Sequence, residues 1–266
     1  MYIDYIEIEN FRTFRKSRIS FCHGDQDFRA IGMPKPQLPN LNVLLANNGY
    51  GKTSLLKAIA LAALGPAVGH SGIYPYHLIR RETGQKLVTR AVLNAGFKTH
   101  EQDHVRFEQI DSRVEVIRQG DIELLEWTHR EPKAWQPVFT SSSDAFFMVG
   151  YGATRWVSKA TKMEQSGRSS PRAARVMGLF EEDYSLRPLN TWLPRYKDGV
   201  GLRGRYVQVA NLLNRLVGKG GWGFTGKQDK ETSEVRCQGV NAQRIHPFST
   251  GLIQAAFGLR TLGGRA

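Results

Sequence analysis

The 266-residue sequence contains only two cysteines, Cys22 and Cys237, which are far apart in the chain. Two isolated thiols cannot build a disulfide framework or a structural zinc site, so a reducing cytoplasm is the expected location. Uninterrupted apolar runs of about 18 residues, the length that a membrane span requires, do not occur. The first residues also lack the basic and then apolar pattern of a signal peptide, and we therefore predict no membrane partner.

Acidic residues are scarce beside basic ones. The 24 Asp and Glu stand against 37 Lys and Arg, which gives a formal net charge of +13 at pH 7. Such an excess favours polyanionic partners through counterion release, but solvated arginines would account for it equally well. The composition, with 41% hydrophobic and 23% charged residues, is otherwise that of a globular protein with a sizeable core.

Short apolar runs predict several strands. Residues 2–9 have a period close to two, which is typical of a half-buried strand, and a second strand is predicted over residues 19–22 after a turn at residues 12–16. Residues 41–46 have the continuous apolar pattern of a strand buried on both faces. Later runs that predict an antiparallel patch and one further strand are residues 87–93, 105–110, 114–117, 122–127 and 145–149.

The second half of the chain has a different character. Residues 158–175 are rich in Lys, Arg and Ser, a composition typical of a mobile loop. Residues 172–181 and 204–216 have helical patterns. We therefore predict two domains: residues 1–155 as an N-terminal lobe, and residues 156–266 as a basic loop with a helical lobe and a truncated end.

The most informative segment lies between the predicted 41–46 strand and a predicted helix. Residues 46–53 read Ala-Asn-Asn-Gly-Tyr-Gly-Lys-Thr, which fits the pattern G-x-x-x-x-G-K-[ST] except for Ala46 in place of the first glycine. The helix is predicted over Lys52–Leu64, where a glycine–proline pair ends it. Strand, tight turn and helix in this order form the context in which backbone N–H groups converge on a phosphate.

The residues of the turn have expected roles in holding ATP and Mg²⁺. Gly49 and Gly51 allow the backbone to approach the anion without a Cβ in the way. Lys52 is expected to reach the β- and γ-phosphates, Thr53 to hold Mg²⁺ through its hydroxyl, and Ser54 to lie near the α-phosphate. The predicted ATP-binding residues are Asn47, Asn48, Gly49, Tyr50, Gly51, Lys52, Thr53 and Ser54.

Ala46 is a departure from the pattern. If its position requires a positive φ, the turn is strained by roughly 1–2 kcal/mol, whereas a negative φ makes alanine acceptable. A chance Gly-Lys-Thr at a helix start is the alternative interpretation, which the apolar segments on both sides disfavour.

Two stretches resemble a known family. Residues 8–14, Ile-Glu-Asn-Phe-Arg-Thr-Phe, are similar to the I-x-N-F-(R/K)-x-F strand that begins the SMC/RecF/OLD-type ABC ATPases, in which an N-G-x-G-K-(S/T) turn follows within tens of residues. Residues 147–155 are similar to a G-Y-G-A-(S/T)-R segment of AAA-family ATP-binding proteins of bacterial defence loci. The resemblance implies an α/β fold, a P-loop NTPase head of ABC type: a mixed sheet around the P-loop helix, with an antiparallel β patch and a helical lobe.

The resemblance also implies how the protein works. In this family ATP is held between two heads, so that binding closes the dimer and hydrolysis opens it. A homodimer formed through ATP is therefore implied, with its closure coupled to DNA or to an effector such as a nuclease. Arg12 or Arg15, which follow the first strand, are implied to contact phosphate or DNA, although a solvated turn arginine is an equal alternative for each.

The acidic Walker B pair of the family is not identifiable. Residues 176–183 and 122–126 place acids after apolar residues, but a helix end and an exposed strand describe them better. Ser249 and Gly251 resemble a shortened S-x-G signature, and the glutamine of the Q-loop is unassigned. No catalytic residue is assigned, and we expect a chain that is truncated or divergent before Walker B.

Three functions stay open. The first is an SMC/RecF-like ATPase, and the second is a nucleotide-binding module or remnant that cannot hydrolyse ATP alone. The third is a basic nucleic-acid-binding protein in which the turn holds backbone phosphate. The basic residues predicted to contribute to any DNA affinity, unless they form only a solvated loop, are Arg155, Lys159, Lys162, Arg168, Arg172 and Arg175.

Overall fold

The computed structural model describes residues 1–81, 87–103, 105–128, 132–139, 143, 145–146, 148–152, 156–157, 172–186, 204, 206–209, 211, 222–228 and 235–239. The chain forms two compact units. One unit comprises Met1–Gly150 with Arg168–Phe180, and the other comprises Tyr151–Gly167 with Glu181–Ala266. The division into lobes at residue 155 stays a prediction.

The first unit is built on a five-stranded antiparallel sheet. Its strands are β1 (Tyr2–Phe11), β2 (Phe14–Ser20), β3 (Arg90–Lys98), β4 (Gln109–Gln119) and β5 (Ile122–Trp127), arranged in the order β2-β1-β3-β4-β5. Ile8 of β1 lies opposite Ser17 on one side and Leu93 on the other. Alternate residues of the central strands are buried, as expected when one face of a sheet covers a core. The predicted α/β class and antiparallel patch are confirmed.

Strand boundaries differ from the predictions. The first turn is short, so β2 begins at Phe14 rather than at residue 19, and β3 begins at Arg90 rather than at residue 87. The runs at 105–110 and 114–117 are not two strands, because β4 is continuous from Gln109 to Gln119. Ladder hydrogen bonds are made by the backbone, so pairing continues through polar positions that interrupt an apolar run.

The helix α1 spans Lys52–Leu64, as predicted, and a 3-10 turn over Gly65–His70 follows it. Gly65 has a φ of +49°, and a Cβ there would lie 2.9 Å from the ring of Trp135. Trp135 belongs to α2 (Pro132–Phe139), is fully buried, and donates its Nε1 hydrogen to the carbonyl of Asp111 at 2.7 Å. Gly65 therefore ends α1 and also allows the indole to pack closely against the chain.

Length and composition alone would allow one helical segment, Lys52–His70, to cross a membrane. It comprises α1 and the 3-10 turn, and 56% of its most apolar stretch is buried inside the protein. A core helix satisfies the same criteria, and α1 packs on β1, β3 and β4. We interpret the segment as the core helix of this unit.

The remaining elements are short. The strands β6 (Trp156–Val157) and β7 (Ser185–Leu186) form a parallel pair, and β8 (Trp222–Gln228) pairs with β9 (Val235–Gly239) in antiparallel fashion. The helix predicted over residues 172–181 is instead two 3-10 turns, Ala173–Arg175 and Met177–Leu179. Gly178 lies within the second turn, and glycine destabilises the interior of a continuous α-helix, so short 3-10 turns form here instead.

The structure describes only part of two further predicted elements. The described residues of the predicted 145–149 strand lie in no strand, and Ala145 and Phe146 pack in the core instead. In the predicted 204–216 helix, residues 204, 206–209 and 211 are helical, and the others lie outside the described residues.

Candidate phosphate-binding site

The turn before α1 depends on its two glycines. Gly49 has a φ of +85° and Gly51 a φ of +90°, values that other residues rarely adopt. The amide of Tyr50 donates to the carbonyl of Asn47 at 3.4 Å, which closes the turn. Tyr50 itself is exposed. The backbone from Asn47 to Gly51 thus forms the tight loop that the spacing predicts.

Gly51 is also the N-cap of α1. The first helical hydrogen bond runs from the amide of Leu55 to the carbonyl of Gly51, at 2.8 Å. No side chain caps this end, and the first turn of the helix contains no acidic residue. The amides of Lys52, Thr53 and Ser54 therefore have no helical acceptor, and the positive end of the helix dipole is not compensated. An anion is the ligand that such an end attracts.

Lys52 lies back over this turn. Its Nζ donates to the carbonyl of Ala46 at 2.5 Å and to that of Asn47 at 2.8 Å. Within the described ranges, no carboxylate forms an ion pair with it. A phosphate is a stronger acceptor for an ammonium group than a carbonyl is. When an anion binds, Lys52 can therefore exchange its hydrogen bonds to these carbonyls for hydrogen bonds to the anion.

The β1–β2 turn provides a second cation. Arg12 has a φ of +49°, and its Nε donates to the hydroxyl of buried Ser54 at 3.2 Å. Arg15 is exposed on β2, and the described part of the chain shows no hydrogen bond from it. The structure therefore places one of the two predicted arginines at the turn. Thr53 is exposed at the same helix end, with its hydroxyl available to a ligand.

Sequence reasoning missed a contact between the two turns. A Cβ on Gly51 would lie 2.5 Å from the Oγ1 of Thr13 and 3.1 Å from the ring of Phe14. Gly51 is buried by these residues, whereas a Cβ on Gly49 would meet nothing within 4 Å. The two turns are more than 30 residues apart, and no local sequence pattern points to their packing.

The substitution at position 46 is accommodated without strain. Ala46 is not among the residues with positive φ, which outside glycine are Asn10, Arg12 and His77 in the described part of the chain. The first position of the motif therefore does not need glycine here, and alanine imposes little steric cost.

The strand predicted over residues 41–46 is wrong. These residues adopt no strand, and Leu45 is 89% exposed. Asn40 and Asn42 tie the segment to the end of β2 with side-chain hydrogen bonds instead: Asn42 accepts from the amide of Cys22 at 2.9 Å, and Asn40 from that of Gly24 at 2.6 Å. No described strand pairs with residues 41–46, and a segment without a pairing strand cannot complete a ladder of backbone hydrogen bonds.

Neither Walker B alternative forms an acidic site. Residues 181–183 are exposed, in agreement with their rejection as Walker B. Residues 122–126 form a strand as predicted, but Glu123 is buried rather than exposed, and it accepts hydrogen bonds from the amides of Leu78 at 2.7 Å and Ile79 at 3.4 Å. Among the described residues, no group of three or more His, Cys, Asp or Glu side chains could hold a metal ion.

A glycine-lined turn, an uncapped helix start and a convergent lysine define a P-loop. Residues 5–130 match the family model described as an AAA domain. A solved SMC head bound to the C-winged helix domain of ScpA aligns with 98% of this chain and 75% of that chain, at 12% identity and a TM-score of 0.50.

Two other solved structures align less well. A structure on ATP-driven dimerization and DNA-stimulated activation of SMC ATPases covers 56% of this chain and 86% of that chain, at 14% identity and a TM-score of 0.34. The recombination mediator RecF with ATP covers 48% of this chain but 26% of its own, at 18% identity and a TM-score of 0.26. A comparison with curated proteins found no match.

The AAA-domain match and the SMC-head fold agree with the motifs at residues 8–14 and 46–53. The fold of the chain is therefore similar to that of an SMC head, a P-loop ATPase fold of ABC type, and residues 5–130 match an AAA domain.

Proposed function

We propose that residues 47–54 bind the triphosphate of ATP, with Lys52 and Arg12 as the cations that contact it. The observation that carries this proposal is the junction of the two turns. There, one lysine and one arginine lie beside free amides at a helix start that holds no acid. Thr53 is the residue that would hold Mg²⁺, since its hydroxyl is exposed beside Lys52.

Calorimetry with Mg·ATP tests the proposal. We expect Lys52→Ala to abolish measurable binding, because the ammonium group is the principal charge at the turn. Lys98→Ala is the matched control: Lys98 is an exposed lysine at the far end of β3, paired with Tyr2. Wild-type protein that releases no heat with Mg·ATP, or equal affinities for the two variants, would contradict the proposal.

We propose further that ATP binding joins two copies of the head and that this closure is coupled to DNA or to an effector. The AAA-domain match and the resemblance of residues 8–14 and 46–53 to SMC/RecF-type ATPases support a nucleotide-driven dimer, and the net charge of +13 supports a polyanionic partner. Light scattering at increasing protein concentration, with and without Mg·ATP, measures the first step. A mass that ATP leaves unchanged would exclude a dimer of this kind.

A module that binds ATP without hydrolysing it is the second candidate. The observation that favours it is the lack, in the described ranges, of an acid paired with Lys52 or Arg12, because a water-activating carboxylate is needed for turnover. Phosphate release from Mg·ATP distinguishes the two functions. Turnover that is lost in Lys52→Ala favours the ATPase, and binding without turnover favours the module.

Arg172, one of the basic residues predicted to contribute to DNA affinity, has a packing role. The guanidinium of Arg172 lies 4.3 Å from the ring centroid of Phe139 and 4.8 Å from that of Phe146. Burial lowers the pKa of Arg172, with the nearby Arg175 adding to the effect. We therefore expect Arg172→Ala to reduce stability rather than the salt dependence of DNA binding, which a gel-shift titration at several salt concentrations would measure.

A further inference from the structure

Backbone strain outside glycine is concentrated at one junction of the first unit. In the described part of the chain, the residues other than glycine with a positive φ are Asn10 at +53°, Arg12 at +49° and His77 at +52°. Such conformations are unfavourable and persist only where neighbouring contacts hold them. Asn10 and Arg12 lie at the end of β1 and in the turn after it, and His77 begins the 77–80 segment. The strain therefore falls where this segment meets the β1–β2 turn.

Hydrogen bonds join the 77–80 segment to the turn. The amide of Arg12 donates to the carbonyl of Leu78 at 2.8 Å, and the amide of Arg80 donates to the carbonyl of Asn10 at 2.8 Å. The side chain of Arg80 adds a third bond, from its Nη1 to the carbonyl of Thr13 at 2.6 Å. The backbone of the turn is thus fixed on one side by a segment that is more than 60 residues away in the sequence.

The 77–80 segment is held in its turn by Glu123 of β5. One carboxylate oxygen accepts from the amide of Leu78 at 2.7 Å. The other accepts from the amide of Ile79 at 3.4 Å and from Arg118 Nη2 at 3.3 Å. The side chains of Glu123 and Arg118 are only 4% and 8% exposed. A buried carboxylate is costly unless it is paired and hydrogen-bonded, and here both of its oxygens are used.

The turn carries this arrangement to the phosphate-binding site. Arg12 Nε donates to the hydroxyl of Ser54 at 3.2 Å, and Thr13 covers Gly51. In the described ranges, no hydrogen bond of Glu123 reaches residues 47–54. An influence of Glu123 on that site must therefore pass through the 77–80 segment and Arg12.

We propose that Glu123, with Arg118 as its counter-ion, is a positioning residue for the phosphate-binding site. It holds the 77–80 segment, which holds Arg12 in the left-handed conformation that directs its guanidinium to Ser54. The inference rests on the proposed function, in which Arg12 contacts the triphosphate. A cation that is already held in place loses less conformational freedom when it binds an anion, so its contribution to affinity is larger.

A double-mutant cycle on Mg·ATP affinity, measured by calorimetry, tests the inference. Glu123→Gln keeps the shape of the side chain, but its amide has one acceptor oxygen and places N–H donors where backbone amides also donate. We expect this variant to bind Mg·ATP about fivefold more weakly, and Arg12→Ala about tenfold more weakly. Because Glu123 acts through Arg12, adding Glu123→Gln to Arg12→Ala should cause no further loss.

The matched control is Glu115→Gln. Glu115 is also a buried glutamate of this sheet, and it is paired with Arg90 and Arg113. Its hydrogen bonds in the described part of the chain involve neither the 77–80 segment nor the β1–β2 turn. This variant should also lose stability in urea denaturation, yet bind Mg·ATP as the wild type does. A merely structural role of Glu123 would make the two variants alike.

Amide hydrogen exchange without nucleotide gives a second readout. The amides of Arg12, Leu78, Ile79 and Arg80 all donate hydrogen bonds at this junction. In Glu123→Gln these four amides should exchange faster relative to the amides of α1, because the junction opens locally. In Glu115→Gln that ratio should match the wild type.

Three outcomes would overturn the inference. If Glu123→Gln keeps full Mg·ATP affinity, or weakens it equally with and without Arg12→Ala, Glu123 does not act through Arg12, and the phosphate site stands as long as Lys52→Ala abolishes binding. If the Arg12 amide exchanges at its wild-type rate in Glu123→Gln, the 77–80 segment does not hold the turn. If wild-type protein binds no Mg·ATP, the proposed function fails and the positioning role fails with it.

Discussion

The segments on the two sides of the P-loop behave differently. After the turn, α1 has the bounds that its sequence predicts, and most of its apolar residues are buried, with the helix packed on the sheet. Before the turn, residues 41–46 are at least as apolar, yet Leu41, Val43 and Leu45 are exposed. A helix satisfies its own backbone and needs only a surface to pack on, whereas a strand needs a neighbour for its hydrogen bonds.

This difference separates two kinds of sequence signal. The pattern of α1 predicts a helix from local preference alone. Packing of its apolar face on the sheet then stabilises the same helix, so local and tertiary interactions favour one structure. The pattern of residues 41–46 predicts a strand that depends on a pairing partner, and no described strand pairs with it.

The largest expected effect is the removal of a buried leucine from α1. Leu61 is fully buried in the helix, so Leu61→Ala should lower the free energy of unfolding by about 2–5 kcal/mol through lost burial and a cavity. Leu45→Ala makes the same chemical change in the exposed segment and should cost less than about 0.5 kcal/mol. Urea denaturation of both variants measures the two values, and similar losses would show that residues 41–46 are packed in solution.

The second prediction compares the two glycines of the turn. Gly51→Ala should destabilise the protein by about 2–4 kcal/mol and abolish ATP binding, because its Cβ would collide with Thr13 in addition to the strain of a positive φ. Gly49→Ala has the same strain but no collision, so about 1–2 kcal/mol is expected. Thermal unfolding and calorimetry distinguish them, and a milder effect at Gly51 than at Gly49 would refute the packing of the two turns.

Much of this site could be predicted from sequence because it is local. The spacing of Gly49, Gly51 and Lys52 is set by the turn itself, and the glycine after Leu64 ends α1 through its own backbone freedom. The antiparallel order of β3, β4 and β5 also follows from short connections between apolar runs.

What could not be predicted depends on residues distant in the sequence. The choice of Arg12 over Arg15 depends on where a turn with positive φ directs the side chain toward Ser54, 42 positions away. The burial of Glu123 depends on the amides of Leu78 and Ile79, which no local pattern reveals. Pairing partners of this kind are properties of the fold rather than of any one segment.

A third prediction concerns acid stability of the sheet that supports α1. Burial acts to raise the pKa of Glu115, but hydrogen bonds from Arg90 and Arg113 outweigh it and hold the pKa of this carboxyl below its usual range. Because the folded-state pKa is depressed, this stabilisation is present above the unfolded-state pKa and is lost as the pH falls through the folded-state pKa.

We therefore expect Glu115→Gln to reduce stability at pH 7 but to flatten the loss of stability in acid, because the wild-type carboxylate has a lower pKa in the folded state than in the unfolded state. Urea denaturation from pH 7 to pH 3 measures the slope. Glu126→Gln, an exposed neighbour on β5, is the control, and an equal change of slope in that variant would contradict the assignment to Glu115.

The smallest effect is expected from polar substitution of the segment before the turn. Val43→Thr with Leu45→Thr replaces two exposed apolar side chains, so the free energy of unfolding should change by less than about 0.5 kcal/mol while aggregation decreases. Static light scattering and urea denaturation, with Leu55→Thr in buried α1 as the contrasting variant, measure both quantities. If the double variant lost stability as Leu55→Thr does, residues 41–46 would be paired with another strand in solution. The exposure of residues 41–46 would then depend on whether a pairing strand is present, and would not be an intrinsic property of that segment.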